Sequence, residues 1–240
     1  MKEYYTPHRI VFLIFLTLFF IIICLIALIP FIHVLALSFS HKIPATQGKV
    51  ALLPLDFDAE TTKIFIGFNL KSYEFVLSKQ EFINSLKISV IRILLGVPIN
   101  MLLTIITAYP LSKRNTELIG RTLYAWFFMI TILVSGGLIP WYMVITKTGL
   151  LNTIWALIIP GAVPVFNVVL LLNFFRGIPK SLEESAFIDG AGHWRILWQI
   201  YVPLATPALA TILLFSIVGH WNAWFDGLIL MQSPTMFVVK

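Results

Sequence analysis

The side chains of this 240-residue chain that could do chemistry are few, and their spacing excludes most of it. His8, His33, His41, His193 and His220 are dispersed, with no metal-ligand spacing among them. No Gly-x-x-x-x-Gly-Lys-Ser/Thr loop is present to cradle ATP phosphates, and neither His-Glu-x-x-His nor Gly-x-Ser-x-Gly occurs. The single cysteine, Cys24, lies in an apolar run, so no intramolecular disulfide or thiolate cluster can form. Asp226, near a helix end, reads as an interfacial charge rather than a proton carrier. No cofactor or metal is expected, and nothing marks the chain as an enzyme.

The informative stretch is Arg176 to Pro207. After Pro179, Ser181-Leu182-Glu183-Glu184 fits a capping box, in which Ser181 bonds the third-residue amide and Glu184 reaches back. A helix of about eight residues, near 12 Å long, would follow and stop at Gly190, where a left-handed turn is cheap. Trp194, Leu197, Trp198 and Tyr201 then recur at i, i+3, i+4 and i+7, with Arg195 and Gln199 on another face. That spacing predicts an amphipathic helix along a membrane surface. Pro203 and Pro207 redirect the chain. A bland connector needs only a few residues, so this loop reads as a docking element for a soluble partner. The alternative is an interfacial loop that only caps the bundle.

The elements that carry this loop are membrane spans. The chain is 59% hydrophobic and 12% charged, with mean hydropathy +0.92; soluble domains run roughly 45–50% apolar and about 25% charged. Ile10 to Ile32 carries no charge, and its about 34 Å of helix exceeds a ~30 Å hydrocarbon core. It is longer than a signal-peptide core, so it reads as a retained span. Residues 83–109 form the second span. Lys87 and Arg92 in its first half are expected near the outer interface or facing protein, and Asn100 and Thr104 to make inter-helix hydrogen bonds. The third span, 118–137, ends at Ser135-Gly136-Gly137, and Pro140 is read as a helix stop. The fourth, 152–175, holds Pro160, Gly161 and Pro164, which predict a kink whose freed carbonyls need protein or water partners. The fifth runs over 204–230.

With the N-terminus cytoplasmic, Lys2, Arg9, Lys113, Arg114, Arg121, Arg176, Lys180 and Arg195 all fall inside. Lys147 and Lys240 fall outside. The first loop adds five lysines there, balanced by Asp56, Asp58, Glu60, Glu74 and Glu81. The formal net charge of +6 is therefore read as loop charge rather than a nucleic-acid surface.

Glu184-Ser185-Ala186-Phe187-Ile188-Asp189-Gly190-Ala191, followed by Ile200-Tyr201-Val202-Pro203, resembles the EAA loop of bacterial ABC importer permeases. Glu184, Ala186, Asp189, Gly190, Ala191, Ile200 and Pro203 match; Ser185 replaces the middle alanine and Val202 the leucine. Gly219-His220-Trp221-Asn222-Ala223-Trp224 resembles the carbohydrate-uptake branch, especially oligosaccharide importers of the lipoprotein-linked type. Tyr-Pro-Leu-Ser-Lys (109–113) and Ser-Gly-Gly-Leu-Ile-Pro (135–140) extend the likeness over almost the whole chain.

The resemblance implies an all-α integral membrane bundle of the type I importer permease kind. It would be a single permease domain over 1–240 in a bacterial plasma membrane, surrounded by lipid, with a cytoplasmic coupling loop at 176–203. It implies a transport pore for sugars or oligosaccharides, with Glu184, Ser185, Ala186, Asp189, Gly190, Ala191 and Pro203 coupling it to the ATPase. The implied partners are a second homologous permease, a cytoplasmic ABC ATPase dimer and an extracytoplasmic solute-binding protein. For a sugar, aromatic faces and amides are the expected contacts, which makes Trp221, Asn222 and Trp224 a possible substrate path. Permeases of this branch usually have a sixth span, so the chain, ending at Lys240, is expected to be truncated.

Three other readings fit the residues less well. An ion-gradient secondary transporter of a small polar solute would need intramembrane carboxylates, and spans one to four have none. A membrane enzyme would need clustered catalytic side chains. A structural anchor has no use for kinked spans and a structured loop.

Overall fold

A computed structural model describes residues 7–58 and 62–232, which divide into two compact units at Gln80. The first begins with α1 (Pro7–Ser38), whose apolar side chains from Ile10 to Leu35 are exposed almost throughout, as a lipid-facing helix requires. The charged loop behind it is folded. It holds α2 (Lys42–Thr46), an antiparallel pair of strands β1 (Leu55–Asp58) and β2 (Lys63–Ile66), and α3 (Lys71–Leu77). Asp56 ties the hairpin down: its carboxylate accepts from the Asn69 amide at 2.8 Å and from the Phe57 N–H. These bonds, the Asn69 one foremost, hold its pKa below the usual carboxylate value.

The second unit begins with α4 (Gln80–Ser112). Arg92, Gly96, Asn100, Thr104 and Ala108 recur every four residues along it and are all buried, a stripe of small and polar side chains facing protein. Then come α5 (Arg121–Leu133), α6 (Leu138–Lys147), two 3-10 turns at Ile154–Leu157 and Ile159–Gly161, and α7 (Val165–Arg176). After α8 (Lys180–Ile188) and α9 (His193–Ile196), a wide π turn over Leu197–Tyr201 leads to α10 (Val202–Leu204), α11 (Thr206–Asn222) and α12 (Phe225–Leu230). One apolar core joins α4, α7, α9, the π turn and α11 through Ala108, Leu171, Phe175, Ile196, Leu197 and Ile212. Among the described residues two helices, α1 and α4, are long and apolar enough to cross a membrane alone; up to five spans result if each bent pair is one.

Several local expectations need correction. Pro140 does not stop a helix: it lies in the first turn of α6, where its missing N–H costs nothing. The chain turns by 116° between α5 and α6 at the Gly136-Gly137 break, with Gly137 at φ +82°. Residues 204–230 are not one continuous helix, because the backbone is extended at Ala223 between α11 and α12. The kink at Pro160–Pro164 falls where the prolines predict it, as a bend of 44°.

Candidate coupling loop and membrane cavity

Ser181 does not cap α8. Pro179 takes the cap position with ψ 125°, starting the helix early enough to put Ser181 inside its first turn, where no side-chain cap bond forms. The C-terminal stop is as expected. Gly190 adopts φ +78°, its N–H bonds Phe187 O at 3.0 Å, and the Ala191 N–H bonds Ala186 O at 2.9 Å. That pair of bonds is a Schellman closure, whose left-handed residue carries no side-chain penalty when it is glycine. α8 then sorts the motif residues. Ala186 and Ala191 pack partly buried against the core, whereas Glu184, Ser185, Asp189 and Gly190 are exposed. Ile188 is 87% exposed at the same end, an apolar side chain offered outward. Pro203 is exposed within α10.

The predicted amphipathic face divides. Leu197 and Tyr201 are buried, but Trp194 is 63% exposed and Trp198 is exposed beside it. Ile196 is buried in their place, and over Leu197–Tyr201 a π turn, in which the Val202 N–H reaches back to Leu197 O, changes the helical period. Pro203 follows directly; its ring would crowd the Gln199 carbonyl of a regular helix.

Beneath α8 lies a groove of about 460 Å³ lined in part by Tyr109, Lys113, Glu183, Phe187 and Trp194. At its floor Lys113 and Glu183 form a buried ion pair. The Tyr201 hydroxyl donates to the other Glu183 oxygen at 2.6 Å, and the Lys113 ammonium stands 4.1 and 4.5 Å from the ring centres of Tyr109 and Tyr201. Burial pushes the Lys113 pKa down, and the Glu183 hydrogen bond and charge oppose it. An exposed pair, Lys180 to Glu117 at 2.5 Å, lies nearby. It holds the Glu117 pKa low, so its support is present at neutral pH and fades as pH falls through that lowered value. Sequence reading left Lys113, Glu183 and Tyr201 without this role; the only signal was the lysine four residues after Tyr109.

A second polar cluster lies deeper in the unit. The Arg92 guanidinium pairs with both Asp226 oxygens, donates to Ala223 O at 2.8 Å and reaches His220 Nδ1 at 3.3 Å. Asp226 is thus a partnered charge. His220 Nε2 lies 3.1 Å from Asn100 Oδ1, and the Asn100 amide donates to Gly161 O at 3.2 Å, a carbonyl in the kinked stretch before α7. Gly96 leaves room for the imidazole: a Cβ there would stand 2.7 Å from the His220 ring. Thr104 differs from expectation, its buried hydroxyl having no partner among the described residues. Arg92, Asn100, Asn167, Ser216, His220 and Asp226 line a cavity of about 430 Å³.

An adjoining, more apolar cavity of about 980 Å³ is lined by Ser135, Gly136, Trp141, Asn222 and Trp224 among others. Of the three residues expected on a substrate path, Asn222 and Trp224 line it; Trp221 does not and is 52% exposed. Among the described residues no three His, Cys, Asp or Glu side chains come together to hold a metal ion.

Residues 78–238 match the family described as the binding-protein-dependent transport system inner membrane component. The chain belongs to this family. Its members are the permeases of ABC importers, in which separate subunits hydrolyse ATP, so the permease is not an enzyme. Among solved structures it is similar to a bacterial ABC transporter that imports the acidic polysaccharide alginate, with TM-score 0.86, 31% identity, and coverage of 98% of this permease and 79% of that chain. It is 38% identical over 222 residues to the polygalacturonan/rhamnogalacturonan transport system permease protein YtcP of Bacillus subtilis, covering 92% of this chain and 73% of that one. Protein LplC of the same organism is 35% identical over 215 residues, 90% of this chain and 68% of LplC. The inner membrane permease protein YcjP of Escherichia coli is 31% identical over 239 residues, 98% and 80% respectively. The likeness supports a sugar ABC importer permease and gives no support to an ion-gradient transporter. The family places the permease in an inner membrane and implies a permease partner, an ATPase and a binding protein.

Proposed function

We propose that this permease pairs with a second homologous permease, docks a cytoplasmic ABC ATPase dimer on α8, and receives an oligosaccharide from an extracytoplasmic solute-binding protein. The observation that carries the reading is the short, Schellman-closed α8, with Glu184, Ser185, Ile188, Asp189 and Gly190 all turned outward. The five proposed spans cover about residues 10–32, 83–109, 118–137, 152–175 and 204–230, the last three each meeting a bend. The N-terminus is cytoplasmic, supported by the gathering of Lys113, Arg121 and Lys180 around the loop, where Arg121 Nε also holds Leu111 O at 2.9 Å. Closure of the ATPase pair moves α8 and switches the spans between outward- and inward-facing packings, driven by their different affinities for the nucleotide state.

The substrate class is an oligosaccharide, and uronate-containing chains come first, because one relative is named for polygalacturonan and rhamnogalacturonan and a similar solved structure for the acidic polysaccharide alginate. The test is affinity purification from native membranes, then uptake into proteoliposomes. An ATPase, a second permease and ATP-dependent uptake of labelled trigalacturonate, unaffected by excess maltotriose, are expected. Purified complexes that bring no ATPase would overturn the assignment; uptake competed by maltotriose would overturn the uronate preference.

Asn222 and Trp224 are proposed to touch the passing sugar. Losing one hydroxyl hydrogen bond, about 0.5–1.5 kcal/mol, should raise the apparent KM of Asn222→Ala roughly two- to twelvefold. Trp224→Ala should do likewise, while Trp221→Ala leaves KM unchanged. An unchanged KM in both of the first two variants removes them from the path.

A further inference from the structure

We propose that Lys113, Glu183 and Tyr201 form the joint through which α8 and the cytoplasmic end of α4 move as one body. This rests on the reading of α8 as the ATPase-docking helix. One ammonium is held at once by a carboxylate of α8, by the hydroxyl of the π turn at 3.3 Å, and by two ring faces, one on α4 and one on the π turn. Three elements therefore meet on a single buried charge. An apolar trio of equal volume would fill the same space, but it would slide; the ion pair fixes both distance and direction.

The arrangement also has a second rung of opposite polarity. Lys113 pairs with Glu183, and four residues on, Glu117 pairs with Lys180 of the same α8. The exposed rung is screened by solvent and contributes little. The buried rung carries the specificity. It lies one residue before Glu184, so the helix that offers Glu184, Ser185 and Asp189 outward holds its anchor on the adjoining face. Lys113, Glu183 and Tyr201 are positioning residues: none of them faces the partner, and each acts through the exposed end of α8.

The experiment uses the complete importer in proteoliposomes and reads solute transported per ATP hydrolysed. The informative variant is Lys113→Met with Glu183→Leu, which removes both charges and leaves neither one buried alone. The importer is expected to assemble and its ATPase to respond to the binding protein, while transport per ATP falls at least about tenfold. Tyr201→Phe, which removes only the hydroxyl, keeps the test alive should the double variant fail to assemble, and a two- to fivefold drop in the same ratio is expected. Charge exchange, Lys113→Glu with Glu183→Lys, should recover part of the ratio. Wild-type transport per ATP in an assembled double variant, or in Tyr201→Phe, would overturn the joint while leaving α8 as the docking helix. Absence of an ATPase from the wild-type complex would instead overturn the docking reading.

Discussion

Arg92→Met is expected to lower the unfolding free energy of the permease by about 3 kcal/mol, the low end for breaking a buried ion pair because the Asp226 side chain keeps 22% exposure. The loss is large because Arg92 serves four acceptors at once. Asp226 would be left charged with no cation, the Ala223 carbonyl would lose the donor that occupies it where the backbone is extended, and His220 would lose one of its two ring partners. Asn100, which holds the kink carbonyl of Gly161, depends on that imidazole. The damage should therefore spread along α4, the kink before α7 and α11 together. Unfolding by SDS titration in mixed micelles measures it. Arg92→Met with Asp226→Leu should regain most of the stability, since no buried charge is then left alone. A single variant as stable as the wild type would contradict the network as described.

The second large effect is on transport. At φ +78° any L side chain at Gly190 carries a backbone cost of about 1–2 kcal/mol, whatever its size. A Cβ there meets nothing within 4 Å, so size is not penalised within the chain. Size matters only for whatever docks on α8. Gly190→Ala is accordingly expected to retain most of the uptake, and Gly190→Asn at least as much, because asparagine tolerates the left-handed region. Gly190→Arg, at a similar backbone cost, should reduce uptake at least about tenfold while the permease still inserts and purifies. Equal uptake by the alanine and arginine variants would mean that nothing seats against this turn.

What the sequence made legible was local. The stop at Gly190, the kink at Pro160–Pro164 and the break at Gly136-Gly137 each follow from one residue's backbone preference. For Arg92 the cost of a lipid-facing charge left two places open, near the outer interface or facing protein, and its burial decides for the second. What was not legible joins positions far apart in the chain. Lys113 meets Glu183 across 70 residues and Arg92 meets Asp226 across 134, and no local pattern specifies either partner. The capping box failed for a different reason: two helix-start signals lay side by side, and the preset backbone of Pro179 prevailed over the Ser181 hydroxyl. The heptad-like run from Trp194 to Tyr201 failed because a π turn changes the period within it, which side-chain spacing alone does not reveal.

The most direct test of the central assignment is site-specific cross-linking from the exposed end of α8. Cys24 is the single cysteine of these 240 residues, and Cys24→Ser removes it from the background. Asp189→Cys in that background, within the assembled importer, should cross-link to the ATPase, and nucleotide should alter the yield. Lys63→Cys, on β2 of the first loop, should not. Cross-links to the ATPase from residue 63 but none from residue 189 would contradict a cytoplasmic coupling loop, and the reading of this permease built on it.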